Sequence, residues 1–121
     1  MEKDVTNPLI KALNKLPMTQ VWKRHSSGSS NNTNKPDVTG SHYGIRLEIE
    51  VKRPGKKPRS GQYKELRKFR KLGCIAFWTD DVQDGLDQLA FWYKVINREI
   101  EHPGYQDLKP KKPLIIKDLV A

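Results

Sequence analysis

The segment IRLEIEVKRPG, residues 45–55, decides the architecture of this chain. Apolar and charged residues alternate through it, and successive side chains of a strand point to opposite faces. The alternation therefore predicts a strand with one buried face and one densely charged face, ended by Pro54-Gly55. Residues 37–39, a turn within 40–44 and residues 45–52 together predict a β-hairpin. The buried face of the second strand would carry Ile45, Leu47, Ile49 and Val51.

Upstream of this hairpin the sequence predicts one helix, one short strand and one loop. Asn7-Pro8 is typical of an N-cap followed by proline at the first helical position, and Pro17 would end that helix. Residues 20–24 predict a short strand carrying Val21 and Trp22. Residues 26–35 are serine, glycine, asparagine and threonine almost throughout, which favours a surface loop within one domain.

Downstream of the hairpin the sequence predicts a helix, a strand and a second helix. Ser60 can cap a helix over residues 61–72, and Gly73 suits its C-terminal end. Its buried stripe would be Tyr63, Leu66, Phe69 and Leu72. The apolar run 74–79 is typical of a strand covered on both faces, and residues 82–101 predict an amphipathic helix. The predicted fold class is therefore α/β, with a small mixed central sheet flanked by helices.

Composition limits the classes of protein to which the chain can belong. Its 121 residues suffice for one packed core. Lys and Arg number 23 against 14 acidic residues, and a net charge of +9 favours a polyanionic partner. The single cysteine, the short apolar runs and the absence of a visible secretory signal argue against disulfide scaffolds and membrane proteins and favour the cytoplasm. No glycine-rich phosphate loop is present, so no nucleotide cofactor is expected.

A small set of charged residues carries the chemistry. Glu50 and Lys52 lie two apart on one strand, so their side chains share a face about 6–7 Å apart. Asp37 lies near the start of the neighbouring strand, and an antiparallel hairpin can bring it beside Glu50. Two carboxylates at a strand end suit Mg²⁺, which prefers oxygen ligands, and the carbonyl of Val51 is a possible third ligand. The alternative is a solvent-facing row of charges that pair across the sheet and contribute little.

These residues also carry a resemblance to a known family. Pro36-Asp37 followed by Glu50-Val51-Lys52 is the motif of the PD-(D/E)xK nucleases. The run of residues 49–55, then Ser60 and Gln62, then Gly73, resembles the VRR-NUC group, the virus-type replication-repair nuclease domains. Residues 22–28 are similar to the segment that this group carries after its first helix. The resemblance covers roughly residues 5–90.

The resemblance implies a restriction-endonuclease-like αβββαβ core and a nuclease that depends on Mg²⁺ or Mn²⁺. Asp37 and Glu50 would be metal ligands, Lys52 the catalytic lysine, and Gln62 the glutamine that supports the site or contacts DNA. The family usually adds an acid from the first helix, but residues 9–16 contain none, so Glu2 or Asp4 would have to replace it. Small phage-like members imply a homodimer that acts on branched DNA, such as Holliday junctions or flaps, in a bacterial or phage-infected cell.

The remaining expectations concern domain limits and the nucleic-acid surface. Residues 1–121 would form a single nuclease domain with its core at about 5–101 and a C-terminal tail at 102–121. The three tryptophans, at positions 22, 78 and 92, are expected to be core or dimer contacts rather than base-stacking platforms. Two alternatives to a nuclease are a DNA-binding module that keeps the fold without cutting, and an RNA-binding protein indifferent to divalent metal. The expected DNA contacts are Arg24, Arg53, Lys56, Lys57, Arg59, Lys64, Arg67 and Lys68.

Overall fold

In the part of the chain that the structure describes, three helices and four strands follow one another in the order that the sequence predicts. The computed structural model describes residues 3–24 and 34–97. Helix α1 spans Lys3–Leu13, and it is followed by strands β1 (Thr19–Lys23), β2 (Val38–His42) and β3 (Ile45–Val51). Helix α2 (Ser60–Lys71), strand β4 (Ile75–Thr79) and helix α3 (Val82–Ile96) complete the described part. The predicted loop at 26–35 lies largely outside the described residues, as do the tail 102–121 and the end of the last predicted helix.

The four strands form one mixed sheet in the order β1-β2-β3-β4. The pairs β1–β2 and β2–β3 are antiparallel, and β3–β4 is parallel. Tyr43 and Gly44 both have positive φ, as a tight two-residue hairpin turn between β2 and β3 requires. The parallel pairing brings the carboxyl ends of β3 and β4 to the same edge of the sheet, and the candidate site lies at this edge.

Helices cover both faces of the sheet, which confirms the predicted α/β class. The larger core lies between the sheet and helices α1 and α3, and its fully buried side chains include Leu9, Leu47, Ile49 and Phe77. A smaller cluster of Leu66, Phe69, Ala76 and Trp78 packs α2 against the opposite face. Every residue of β4 is buried, as its apolar sequence predicts.

Helix α1 begins earlier than predicted. It starts at Lys3, so Pro8 lies inside the helix rather than at its first position. Val5 is buried and precedes Leu9 and Leu13 at spacings of four residues, so the apolar stripe extends one turn before the predicted start. Burial of Val5 offsets the backbone hydrogen bond that Pro8 cannot donate.

Two predictions about α2 and β3 were also wrong. Leu72 is 70% exposed because α2 ends at Lys71, and Cys74 packs on the small cluster instead. The charged face of β3 is not open to solvent: Glu48 is fully buried and Glu50 is 1% exposed. Helix α2 packs over β3 and β4 on this side, so the interpretation of Glu50 and Lys52 as a solvent-facing row is excluded.

Candidate active site

The register of the hairpin brings Asp37 beside Glu50. Val38 pairs with Ile49, so the next residues outward, Asp37 and Glu50, lie opposite each other. The backbone N–H of Val51 donates to Asp37 Oδ2 at 3.2 Å, which holds this carboxylate against the end of β3. The structure therefore brings together the two acidic residues that the sequence predicts as a pair.

Glu50 is a buried carboxyl group with an incomplete set of partners. Gln62 Nε2 donates to its Oε2 at 3.0 Å, and Lys52 Nζ lies 3.3 Å from the same oxygen. Its other oxygen, Oε1, is buried and accepts no hydrogen bond from the described residues. Burial and, second, the negative charge of Asp37 raise the pKa of Glu50 to about 8, although the Lys52 ammonium lowers it.

Gln62 reaches Glu50 because the start of α2 fixes its side chain. It is the third residue of the helix, and its Oε1 accepts the backbone N–H of Arg59 at 2.8 Å, as the glutamine of a capping box does. With Oε1 used in this way, Nε2 points to Glu50. One side chain thus links the helix start to the buried carboxyl group.

Lys52 continues β3 beyond its last regular residue. Its backbone N–H donates to the carbonyl of Thr79 at 2.9 Å, which fixes the chain beside the end of β4. Lys52 is 8% exposed, so its ammonium is held at the site rather than extended into solvent.

Glu48, the other acid on this face of β3, has a different role. Arg24 and Arg46 both form salt bridges with it, and Thr39 Oγ1 donates to it at 2.7 Å. Because its charge is already neutralised, Glu48 belongs to a structural ion network next to the site.

The predicted DNA contacts fall into two groups. Arg24 donates to Glu48 and to the carbonyl of Pro36, so its guanidinium is engaged inside the protein, and we leave it out of the nucleic-acid surface. The other seven lie on the β3–α2 loop or on α2. Of these, Arg67 is half-buried and six are exposed: Arg53, Lys56, Lys57, Arg59, Lys64 and Lys68. Arg70, which also lies on α2, is buried over the ring of Trp92.

Asp80 is the residue of this edge that the sequence did not single out. Of the acidic pair after β4, Asp81 caps α3 and accepts from the N–H of Asp84 at 2.8 Å. Asp80 is buried and accepts the N–H of Gly55 at 3.2 Å, so it anchors the basic loop. Its position directly after a buried strand was the available signal, but the parallel pairing that makes this position important is a tertiary feature.

The two acids satisfy a simple test of fit to a divalent cation. A buried carboxyl group with an unused oxygen lies beside a second carboxylate whose charge disfavours its ionisation, and a bound cation would relieve both penalties. Among residues 3–24 and 34–97, no cluster of three or more His, Cys, Asp or Glu is present, so Asp37 and Glu50 form a two-acid site. Asp4 lies in the first turn of α1, and Glu2 lies outside the described residues.

Comparison of the chain with protein-family models and with curated proteins found no match. None of the described helices has the length and apolar character needed to cross a bilayer.

Proposed function

We propose that this protein is a DNA nuclease dependent on Mg²⁺ or Mn²⁺, with a restriction-endonuclease-like core. The observation that carries the proposal is the convergence of Asp37, Glu50, Lys52 and Gln62 at one edge of the sheet, with an unused buried oxygen on Glu50. Two carboxyl groups brought together under helix cover are costly for folding unless a cation or a proton neutralises them.

Each residue of the site would have a distinct part in hydrolysis of a phosphodiester bond. Asp37 and Glu50 would hold the cation, and the carbonyl of Val51 is a third candidate ligand. A cation bound there would polarise the phosphate and lower the pKa of a water molecule. Gln62 keeps Glu50 oriented, and Lys52 offsets negative charge that develops on the phosphate or holds the attacking water.

The basic loop and α2 supply the surface for the DNA backbone. Exposed cations on both elements flank the two acids, and phosphate contacts of this kind fix a protein on DNA without reading its sequence. We further propose branched DNA as the substrate and a homodimer as the acting form, because one site per chain cannot cut two strands symmetrically at once. Such a substrate lies in the cytoplasm of a bacterial or phage-infected cell.

The first test is cleavage of labelled four-way junction, flap and linear duplex DNA with Mg²⁺, Mn²⁺ or EDTA. We expect metal-dependent cutting that falls at least about 100-fold in Asp37→Ala and in Lys52→Ala, since these changes remove a metal ligand and the fixed positive charge. Asp37→Ala should still bind DNA, and in EDTA at least as tightly as the natural protein, because a carboxylate that repels phosphate is gone.

Matched controls separate the site from general effects of charge. Asp87→Ala removes an exposed carboxylate on α3, and Lys11→Ala removes an exposed lysine on α1; both should cut normally. Retained binding without cutting in any metal would favour the alternative of a non-cleaving DNA-binding module. Binding of RNA that is indifferent to metal, with no cutting of DNA, would contradict both.

A further inference from the structure

The described helices cover only one half of the sheet face beside the candidate site. Helix α2 packs over β3 and β4 on this side. The side chains of β1 and β2 that point the same way are exposed or half-buried. They form a shallow platform next to Asp37 and Glu50, made of Gln20, Trp22, Thr39 and Ser41.

Trp22 dominates this platform. Val21 lies in the larger core, so the next side chain along β1 points to the opposite face, the one that carries Glu48 and Glu50. Trp22 is 51% exposed, whereas Trp78 and Trp92 are buried. The expectation that all three tryptophans are core or dimer contacts thus holds for two of them as core residues and leaves the indole of Trp22 open.

The register places Trp22 close to the two acids. Trp22 pairs with Thr39. Two residues further along the two strands, the N–H of Arg24 donates to the carbonyl of Asp37. Trp22 and Asp37 lie on neighbouring strands and are offset by two residues along the strand direction. The strand spacing and the rise per residue together give about 8 Å between their Cα atoms. A group stacked on the Trp22 indole would therefore lie next to a ligand bound at Asp37 and Glu50.

The electrostatics around the platform suit a nucleotide. Glu48, the acid directly in line with Trp22 and Thr39, is neutralised by two arginines. Arg46 is itself half-exposed and lies over the Phe69 ring at 4.9 Å. On the other side of the site, the basic loop adds exposed cations. The acid in line with the platform is thus neutralised, and an exposed aromatic face with cations nearby is the combination that binds single-stranded nucleic acid.

We propose that Trp22 stacks on an unpaired base beside the bond that is cut, so that the substrate is DNA with single-stranded nucleotides at the cleavage point. This inference rests on the proposed nuclease function and deepens it. The competing occupant is a second copy of the chain. An isolated indole between exposed polar residues, Gln20 and Ser41 among them, favours the base over an apolar dimer contact.

Tryptophan fluorescence of the intact protein in EDTA tests the proposal without requiring cleavage. We expect oligo(dT) to quench the emission, because Trp22 is exposed and the other two tryptophans are buried. Trp22→Ala should bind oligo(dT) about 5- to 150-fold more weakly, the range found when a stacking aromatic is removed. Trp22→Phe should keep most of the affinity, and Leu72→Ala, which removes a distant exposed apolar side chain, should change nothing.

The outcomes separate this proposal from the nuclease function. Equal affinity of Trp22→Ala and the natural protein for oligo(dT) would overturn the stacking role, even if metal-dependent cutting is intact. Loss of a dimer in Trp22→Ala without any effect on oligo(dT) binding would overturn it in favour of the second copy. Quenching and weakened binding in a protein that cuts nothing would support the stacking role and remove the nuclease.

Discussion

Glu50 shows how one residue can be unfavourable for folding and suited to function. Its side chain is 1% exposed, and a single amide and a single ammonium share one of its oxygens. A buried carboxylate needs more compensation than this to remain ionised. The protein therefore holds Glu50 in an environment that disfavours its negative charge when no cation is bound. Packing of the surrounding side chains offsets the free-energy cost of burying this carboxyl group.

The pH dependence of stability in EDTA follows from the raised pKa of Glu50. Its pKa of about 8 exceeds the ordinary value of 4.5, so the folded state binds the proton more tightly than the unfolded chain. The resulting contribution to the free energy of unfolding is fully present below pH 4.5 and is lost as the pH rises through 8. Between these two pH values the free energy of unfolding falls by up to about 1.4 kcal/mol for each pH unit.

Urea denaturation of the natural protein and of Glu50→Gln, from pH 5 to 9 in EDTA, measures this contribution. Glutamine has no proton to lose, so the natural protein should lose stability relative to the variant as the pH rises. Parallel profiles for the two proteins would contradict the assignment. A matched Asp87→Asn variant, changed at an exposed carboxylate on α3, should follow the natural protein.

At the scale of elements, side chains close both outer strands of the sheet. On β1, the Asn14 amide accepts from the N–H of Val21 at 2.7 Å and donates to its carbonyl at 3.1 Å. On β4, Arg70 donates to the carbonyl of Ala76 and Gln88 to that of Trp78. Unpaired strand edges invite association with other strands, so these three side chains use backbone groups that would otherwise be open.

Asn14→Ala tests the closure of β1. The change removes two hydrogen bonds to one edge residue, and we expect a loss of about 1–3 kcal/mol in the free energy of unfolding. It should also increase self-association with concentration, because the edge of β1 is uncovered. Urea denaturation and light scattering measure the two effects. Lys15→Ala, at the exposed neighbouring position, is the control, and equal behaviour of the two variants would contradict the role of Asn14.

The order of the helices and strands was predictable because local sequence patterns specify it. The start of α1 and the burial of individual side chains were not predictable in this way. The alternation of residues 45–51 and the apolar run of residues 75–79 dictate β3 and β4 directly. The start of α1 was misplaced because burial of Val5 outweighs the local preference of Pro8 for the first position. The burial of Arg70 was not predictable, because nothing in the pattern of α2 reveals the Trp92 ring and the β4 carbonyl that receive it.

Some residues of the candidate site were predictable from the sequence, and others were not. Asp37, Glu50 and Lys52 were predicted from their spacing, and Gln62 was expected from the family resemblance alone; the hairpin and the start of α2 bring the four together. Asp80 and the platform around Trp22 depend on which strand lies beside which and on where α2 leaves the sheet uncovered. Those are properties of tertiary packing, which local sequence periodicity does not encode.

At the scale of the whole molecule, the net charge of +9 is unevenly used. Some cationic side chains form salt bridges within the protein, as Arg24 and Arg46 do with Glu48. The exposed cations of the β3–α2 loop are instead concentrated beside the site. If DNA lies along this loop, its binding should depend strongly on salt, since each phosphate contact releases condensed counterions.

The double variant Lys56→Ala/Lys57→Ala tests where that charge acts. The slope of log affinity for duplex DNA against log salt should become shallower by about 1.8, or about 0.9 for each lost contact. The double variant Lys11→Ala/Lys15→Ala removes the same charge from the side of α1. Its slope should stay close to that of the natural protein. An equal change in both variants would show that net charge alone, and not this loop, determines the binding.

The side chains that close β1 and β4 also limit how copies of this protein can assemble. Each outer strand has backbone groups already bonded to its own chain. Growth of the sheet from molecule to molecule, the geometry of fibrils and of strand-swapped oligomers, would first have to break those bonds. A pair of these molecules should therefore meet through helices or loops, and such a contact would leave the two sheets separate and the edge that carries Asp37 and Glu50 accessible in each molecule.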